Sequence, residues 1–319
     1  MFETRRHPGA LRRSTVIGLA CAALLIGVGP GPAAAGHKVT AVKGSAFGYW
    51  ADDISLFGGA QADTGPTPTV ALTRNASNSP QSATATTGLV AYGPATLFTS
   101  DTITLNSAGS VGSTGSVTTT SDIQNVNYAS TQSATGSEVF GYPPPETDPN
   151  YLNFNPDNLR TRVAGSATAS GSGVSGSTTI TNGMVRTHAQ SSTDCPKPIE
   201  VNPCGRAGEK HTHEAMPTAL NPDTNPEGVV TIPTNPPPNY KVAGHLHLGA
   251  ETTDYFVLVF NEQVVNSDGS LTVTPVHQYF GYKLDGNGNI VQDLSYGQGG
   301  SVLHGHLRLG QVTAGVTMH

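Results

Sequence analysis

Long helical patterns are what this chain lacks most clearly. No run of apolar residues recurs with a period of 3.6 over any useful length, which excludes a helical bundle and argues against an alternating β/α architecture. Charge is scarce too, at 12% of residues, and its sign is acidic, with a formal net charge of −6. That balance disfavours binding to nucleic-acid phosphates or to an anionic membrane surface. Aromatics are few, at 6%, with one tryptophan, so a large core has to be built mostly from aliphatic and small side chains. Catalytic phrases are missing as well. There is no G-x-S-x-G elbow, no H-E-x-x-H and no phosphate-binding glycine loop, and no catalytic residue is assigned.

Residues 1–35 read as a secretory signal peptide. Arg5, Arg6, Arg12 and Arg13 form a basic start, residues 15–28 form a short apolar stretch, and Ala33-Ala34-Ala35 offers a small-residue cleavage site. The pair Arg12-Arg13 also admits twin-arginine export. Removing this segment takes away four arginines and one glutamate, so the mature chain becomes more acidic. No later stretch is long and apolar enough to span a bilayer as a helix. The expected location is therefore outside the cytoplasm, secreted or held at the cell envelope.

Of three cysteines, one (Cys21) lies in the leader. The others, Cys195 and Cys204, stand in C-P-K-P-I-E-V-N-P-C. In an oxidising compartment they are expected to form one disulfide, which closes a short loop and adds roughly 2.5–3 kcal/mol by chain entropy. A zinc site from Cys195, Cys204, His211 and His213 is the alternative, though the spacing matches no standard finger.

What the chain does have is alternation. V-T-A-V-K-G-S-A-F-G-Y-W, T-L-F-T-S-D-T-I-T-L, S-V-T-T-T-S-D-I-Q-N-V, D-Y-F-V-L-V-F and S-L-T-V-T-P-V-H-Q-Y-F are rich in β-branched and aromatic residues, separated by Gly, Asn, Asp and Ser. The expected fold is all-β, an antiparallel sandwich or Greek-key form with long Pro-rich loops. Residues 36–319 are expected to be a single β-rich domain with a Pro-rich excursion around 194–240; two subdomains split near residue 190 are the alternative. Residues 141–156 and 195–239 read as loops because proline cannot donate to a ladder. Residues 164–179 are nearly all Ala, Gly, Ser, Thr and Val, so register there is expected to be weakly specified. Stability is expected mainly from the C-terminal third and from Phe47, Tyr49, Trp50 and Phe57. D-G-N-G-N (285–289) reads as a hairpin turn. So does N-S-D-G-S (266–270), joining a buried strand over 255–260 to a partner over 271–280. Glu262, near the end of the first of these strands, reads as a solvated or turn-bonded carboxylate.

Three phrases carry a family likeness: G-S-A-F-G-Y-W…I-S-L-F-G…G-P-T-P-T-V, G-V-S-G-S-T-T-I-T-N-G and F-N-E-Q-V-V-N-S-D-G-S-L-T-V-T-P-V-H. In these the chain resembles uncharacterised secreted proteins of Gram-positive bacteria related to the choice-of-anchor surface domain. The likeness implies secretion and a β-rich surface module, and no chemistry. The chain departs from the group in having no cysteine in A-G-S-A-T-A-S and no anchor segment, so the likeness does not carry anchoring over to it.

The histidines supply the one candidate site. G-H-L-H-L-G places His245 and His247 on one strand face, with leucines on the other. G-H-L-R-L-G does the same for His304 and His306, with Arg308 third on the polar face. The plain expectation is leucines inward and histidines in solvent. If the two strands were neighbours, His245, His247, His304 and His306 would share a patch able to hold Zn²⁺ or Cu²⁺, with Glu251 or His277 completing the set. Arg308 opposes that reading. His37, near a new amino terminus after cleavage, is a further copper candidate. The expected role is thus a secreted, non-enzymatic interaction or structural protein with a cell-wall or extracellular partner and no cofactor. Zinc or copper binding is the alternative, and hydrolysis comes a distant third.

Overall fold

The computed structural model describes residues 38–56, 59, 61–72, 80–92, 95–129, 138–141, 161–186, 229–247, 253–293 and 303–319. Among them every regular element is a strand, and every pairing is antiparallel. The fold is all-β, as the alternation predicted. Residues from His37 onward form one unit. The leader, His37, Cys195, Cys204, His211, His213 and Glu251 lie outside the described residues, so the expectations placed on them are carried forward as such.

A seven-stranded sheet runs in the order β14 (Tyr240–His247), β15 (Thr253–Val265), β16 (Leu271–Phe280), β19 (Leu303–Leu309), β1 (Val39–Leu56) and β2 (Ala62–Ala71), with β20 (Val312–Met318) bridging β1 and β16. A five-stranded sheet holds β11 (Gly173–Thr181), β10 (Arg162–Ser170), β7 (Ser116–Gln124), β6 (Ile103–Ser110) and β3 (Gln81–Ala85). A third sheet of short strands, β13 (Val229–Thr231), β12 (Met184–Arg186), β9 (Glu138–Gly141), β8 (Asn127–Ala129), β5 (Ala95–Ser100) and β4 (Gly88–Tyr92), follows the same chains. The chain passes from β7 to β8 and from β11 to β12 across two-residue breaks. Asn125 and Asn182 stand there with φ of 52° and 55°, a conformation asparagine tolerates better than most residues. A small hairpin of β17 (Tyr282–Leu284) and β18 (Ile290–Gln292) completes the list. β13 lies within the excursion read as loop; its three residues pair with β12, which the surrounding prolines had obscured.

The main core lies between the seven- and five-stranded sheets. Phe256, Leu258, Phe260, Val276, Phe280, Leu307 and Leu309 share one buried cluster with Ile103, Leu105, Val117, Ile123 and Val163, which Leu97, Phe98 and Val185 of the third sheet extend. The Ala/Gly/Ser/Thr strands behave differently from expectation. β10 pairs with β7 and β11 along its whole length without a register shift. Small residues here bring the sheets together: a Cβ on Gly165 would meet Pro275 at 2.5 Å, and one on Gly176 would collide with Val273. Ser121 Oγ donates across the interface to the Gly310 carbonyl at 2.6 Å. Stability therefore draws on the middle of the chain as well as on the C-terminal third.

Both turn expectations hold. Gly269 (φ 78°) closes the β15–β16 turn, where Asn266 N–H donates to Ser270 O at 2.8 Å. In the β17–β18 turn, Asp285 N–H donates to Asn289 O at 2.9 Å, and the Asp285 carboxylate accepts from Asn287 and Asn289 N–H.

Candidate functional site

The leucine–histidine parity of β19 holds. Leu303, Leu307 and Leu309 are buried, while His304, His306 and Arg308 face outward and are half-buried. The outward face is not simply solvated, however. The β17–β18 hairpin folds over it, and Ala243, Val257, Val259 and Leu284 form a second small core with Tyr279, Tyr282 and Ile290.

The two His-x-His phrases are not on neighbouring strands. β15 and β16 lie between β14 and β19, a separation of roughly 14 Å at ordinary strand spacing. His245 stands opposite Tyr255, and His247 opposite Thr253. The adjacency that a shared four-histidine site needed is therefore absent. Among the described residues no three His, Cys, Asp or Glu side chains gather as a metal group.

What the sheet does bring together is His306 with His277, from adjacent β19 and β16. His277 Nε2 and His306 Nδ1 are 3.3 Å apart. His277 Nδ1 is 2.8 Å from Glu262 Oε2, Tyr279 O–H donates to Glu262 Oε1 at 2.9 Å, and Tyr282 Oη is 3.4 Å from His306 Nε2. Tyr279 stacks on the His277 ring with centroids 3.9 Å apart. Glu262 is thus no solvated turn carboxylate: its side chain is 21% exposed, and that of His277 is 5% exposed.

Local backbone explains why Glu262 arrives there. Along β15 the inward residues are Phe256, Leu258 and Phe260, all even. Asn261 then takes φ 53° and breaks the alternation, so that Glu262 turns outward to His277 while Gln263 reaches Gly176 O on β11. Opposite Asn261, β16 changes parity too: Leu271 and Val273 face the core before Pro275, and Val276 and Phe280 after it. β1 contributes a third break. Asp53 has φ 56° within a register shift against β19. Just before it, Asp52 accepts from Arg308 Nη1 at 2.6 Å. Arg308 also lies over the Trp50 ring, 5.0 Å from its centroid. Its charge is therefore paired with Asp52, while still disfavouring protonation of His277 and His306.

Electrostatics orders the protons. Burial pushes the Glu262 carboxyl upward, but hydrogen bonds and charge from His277, with Tyr279 and Arg308, outweigh it and hold it below its ordinary value. Burial lowers His277 against the opposing pull of Glu262. His306 falls to about 4, through burial first and then His277. Tyr279 is raised, by burial and then by Glu262; Tyr282 is raised by burial and then by Asp53 and Asp52. At neutral pH both imidazoles are neutral and Glu262 is ionised. An ionised carboxylate only accepts, so His277 carries its proton on Nδ1 and its Nε2 is bare. His306 Nδ1–H must then donate to that nitrogen, which leaves His306 Nε2 to accept from Tyr282. Every donor in the chain Tyr282, His306, His277, Glu262 has one acceptor, and the order runs one way.

Residue typing and spacing brought out His306, Arg308 and, as an accessory, His277. They missed Glu262, Tyr279, Tyr282 and Asp52. The one usable signal was H-Q-Y in β16, whose parity puts His277 and Tyr279 on one face. Comparison of the chain with protein-family models, curated proteins and solved structures gave no match.

Proposed function

We propose that this protein is a secreted or envelope-associated, non-enzymatic interaction module, and that it binds its partner through the outer face of the seven-stranded sheet around Trp50, Tyr279, Tyr282, His306 and Arg308. The observation that carries this is the connected network itself. An outer sheet face left to water gains little from holding histidines, tyrosines and an ion pair in one rotamer each. A face that docks a partner gains directly, because its side chains are ordered before binding. Tryptophan, tyrosine and arginine are also the residues that dominate binding surfaces. The signal-peptide pattern of residues 1–35 and the likeness to secreted surface proteins support a cell-wall or extracellular partner. The acidic net charge makes nucleic acid a poor one. The Cys195–Cys204 disulfide belongs to the same reading. Among the described residues no helix is long and apolar enough to cross a membrane.

Fractionation of the producing cells tests the location, and co-sedimentation of the purified protein with isolated cell envelopes tests the surface. The expected result is export, retention on envelopes, and loss of retention in W50A and R308A. Residence in the cytosol, or retention unchanged in the double variant, refutes the proposal. A second reading, metal binding, is favoured by one observation, the facing ring nitrogens of His277 and His306. Copper at the amino terminus through His37 depends on cleavage of the leader and would be tested by mass spectrometry of the secreted chain.

A further inference from the structure

We infer that His277 Nε2 and His306 Nδ1 form a two-histidine seat for a tetrahedral divalent cation, Zn²⁺ before Cu²⁺. This deepens the metal-binding reading and relocates it from the four histidines of the repeated phrase to one histidine of that phrase and one outside it. Three features carry it. The first is distance. A tetrahedral ion with metal–nitrogen bonds of about 2.0–2.1 Å holds its ligand nitrogens about 3.3–3.4 Å apart, and these two stand at 3.3 Å. A square-planar ion holds neighbouring nitrogens only about 2.9 Å apart at the same bond length, which is the reason for placing zinc before copper.

The second feature is the outer support. A metal-bound imidazole ordinarily gives its other N–H to a carboxylate or another oxygen. His277 Nδ1 meets Glu262 Oε2, and His306 Nε2 meets Tyr282 Oη. The two remaining ring nitrogens, His277 Nε2 and the His306 Nδ1 that donates to it, face each other across the hydrogen bond that the ion would replace. Loading needs no proton to leave the protein: His306 shifts its proton from Nδ1 to Nε2, and the Tyr282 hydroxyl turns from donor to acceptor.

The third feature is charge. Glu262 and Asp52 act on His277, and Asp52 and Asp53 on His306, from β15 and β1, against Arg308 from β19. Lys283 on the hairpin is already paired with Asp293. The surplus is two negative charges around two neutral rings, which a dication neutralises. The remaining coordination positions fall to water or to a group of the partner, which makes the ion a bridge to whatever the face binds.

The test is titration of ZnCl₂ into the untagged full-length protein, read by calorimetry and by imidazole nitrogen NMR. One equivalent is expected to shift the rings of His277 and His306 and to move the His306 proton to Nε2. H306Q is expected to weaken binding by at least tenfold, and E262Q by about 10–100-fold as a lost outer-sphere support. H245Q/H247Q is expected to bind as the wild type does. Near-UV circular dichroism reports whether each variant is folded. If the wild-type rings do not respond, or if H306Q binds zinc as tightly as wild type, the inference is overturned. Envelope retention measured with and without EDTA separates the two proposals: retention without zinc binding overturns the seat alone.

Discussion

Replacing Glu262 with glutamine should reverse the direction of the whole hydrogen-bond chain. Glutamine keeps the shape and replaces one acceptor oxygen with a donor NH₂. Its oxygen can still accept from Tyr279, as Glu262 does at 2.9 Å. Its NH₂ then faces His277 Nδ1, which must become the bare nitrogen. His277 would carry its proton on Nε2 and donate to His306 Nδ1, and His306 would donate from Nε2 to Tyr282. All bonds survive, but two that were charge-assisted become neutral. Such bonds are worth about 1.5–3 kcal/mol against about 1 for neutral ones. The gross loss is therefore about 1–4 kcal/mol, offset in part because a half-buried carboxylate no longer has to be desolvated. The expected net cost is about 1 kcal/mol. Glu262→Ala is a different perturbation. It leaves the Tyr279 O–H without its acceptor and the buried His277 Nδ1 without a partner in either tautomer, a penalty of about 1–3 kcal/mol beyond the lost bonds. Urea denaturation should therefore rank wild type above E262Q and E262Q above E262A, and long-range imidazole NMR of metal-free E262Q should show His277 protonated on Nε2. If His277 keeps its Nδ1 proton in E262Q, or if E262A is no less stable than E262Q, Glu262 does not set the proton order of the chain.

Acid should weaken the fold through the same site. His306 titrates at about 4 in the folded chain against 6.5 for the unfolded one, so the unfolded chain takes up its proton first. Stability is then full above pH about 6.5 and falls as pH drops toward 4, by roughly 1–2 kcal/mol after allowance for solvent screening. The metal-free H306Q variant should show a shallower loss across that window in chemical denaturation. Gly176→Val should drive the sheets apart and cost more than about 2 kcal/mol, seen as a lowered urea midpoint; an unchanged midpoint would mean that the close approach is not needed. Gln278 is fully buried on the core side of β16, and its amide has no hydrogen-bond partner among the described residues. Gln278→Met should therefore stabilise the protein by about 1 kcal/mol, and a loss of stability on thermal melting would show that the amide is satisfied.

The fold was legible because each long strand carries its own evidence. The period-2 runs correspond to β1, β5 with β6, β7, β15 and β16, and the Asn/Asp/Gly clusters at 266–270 and 285–289 turn where turn chemistry says they should. The composition of residues 164–179 misled in one respect. Small side chains with little apolar bulk were read as leaving the register weakly specified, but apolar bulk is only one way to fix a strand against the opposite sheet. Gly165 and Gly176 contribute by letting Pro275 and Val273 come close, and that appears only once the opposite sheet is in place.

The site was far less legible, for two separable reasons. Sheet order is the first. His277 and His306 meet because β19 lies between β16 and β1, and nothing local says that a strand at 303–309 should insert there rather than pair with the other His-x-His strand. Broken parity is the second. Strict alternation from Phe256 sends Glu262 into the core with Phe260, and strict alternation from Leu271 sends His277 there with Val273. Each residue is saved by one backbone irregularity, at Asn261 and at Pro275, and the two irregularities stand opposite each other in the ladder. A single break would have separated Glu262 from His277 onto opposite faces. The paired breaks return both to one face within 2.8 Å of each other. Asn261 is held by its own bonds, donating to Pro236 O at 2.8 Å and accepting from Gln263 at 3.0 Å. Substituting it with alanine removes both and leaves a Cβ residue at φ 53°. Asn261→Ala is therefore expected to disturb the His277 ring signals in imidazole NMR of the folded protein, whereas an ordinary loss of stability would leave those signals in place in the folded fraction.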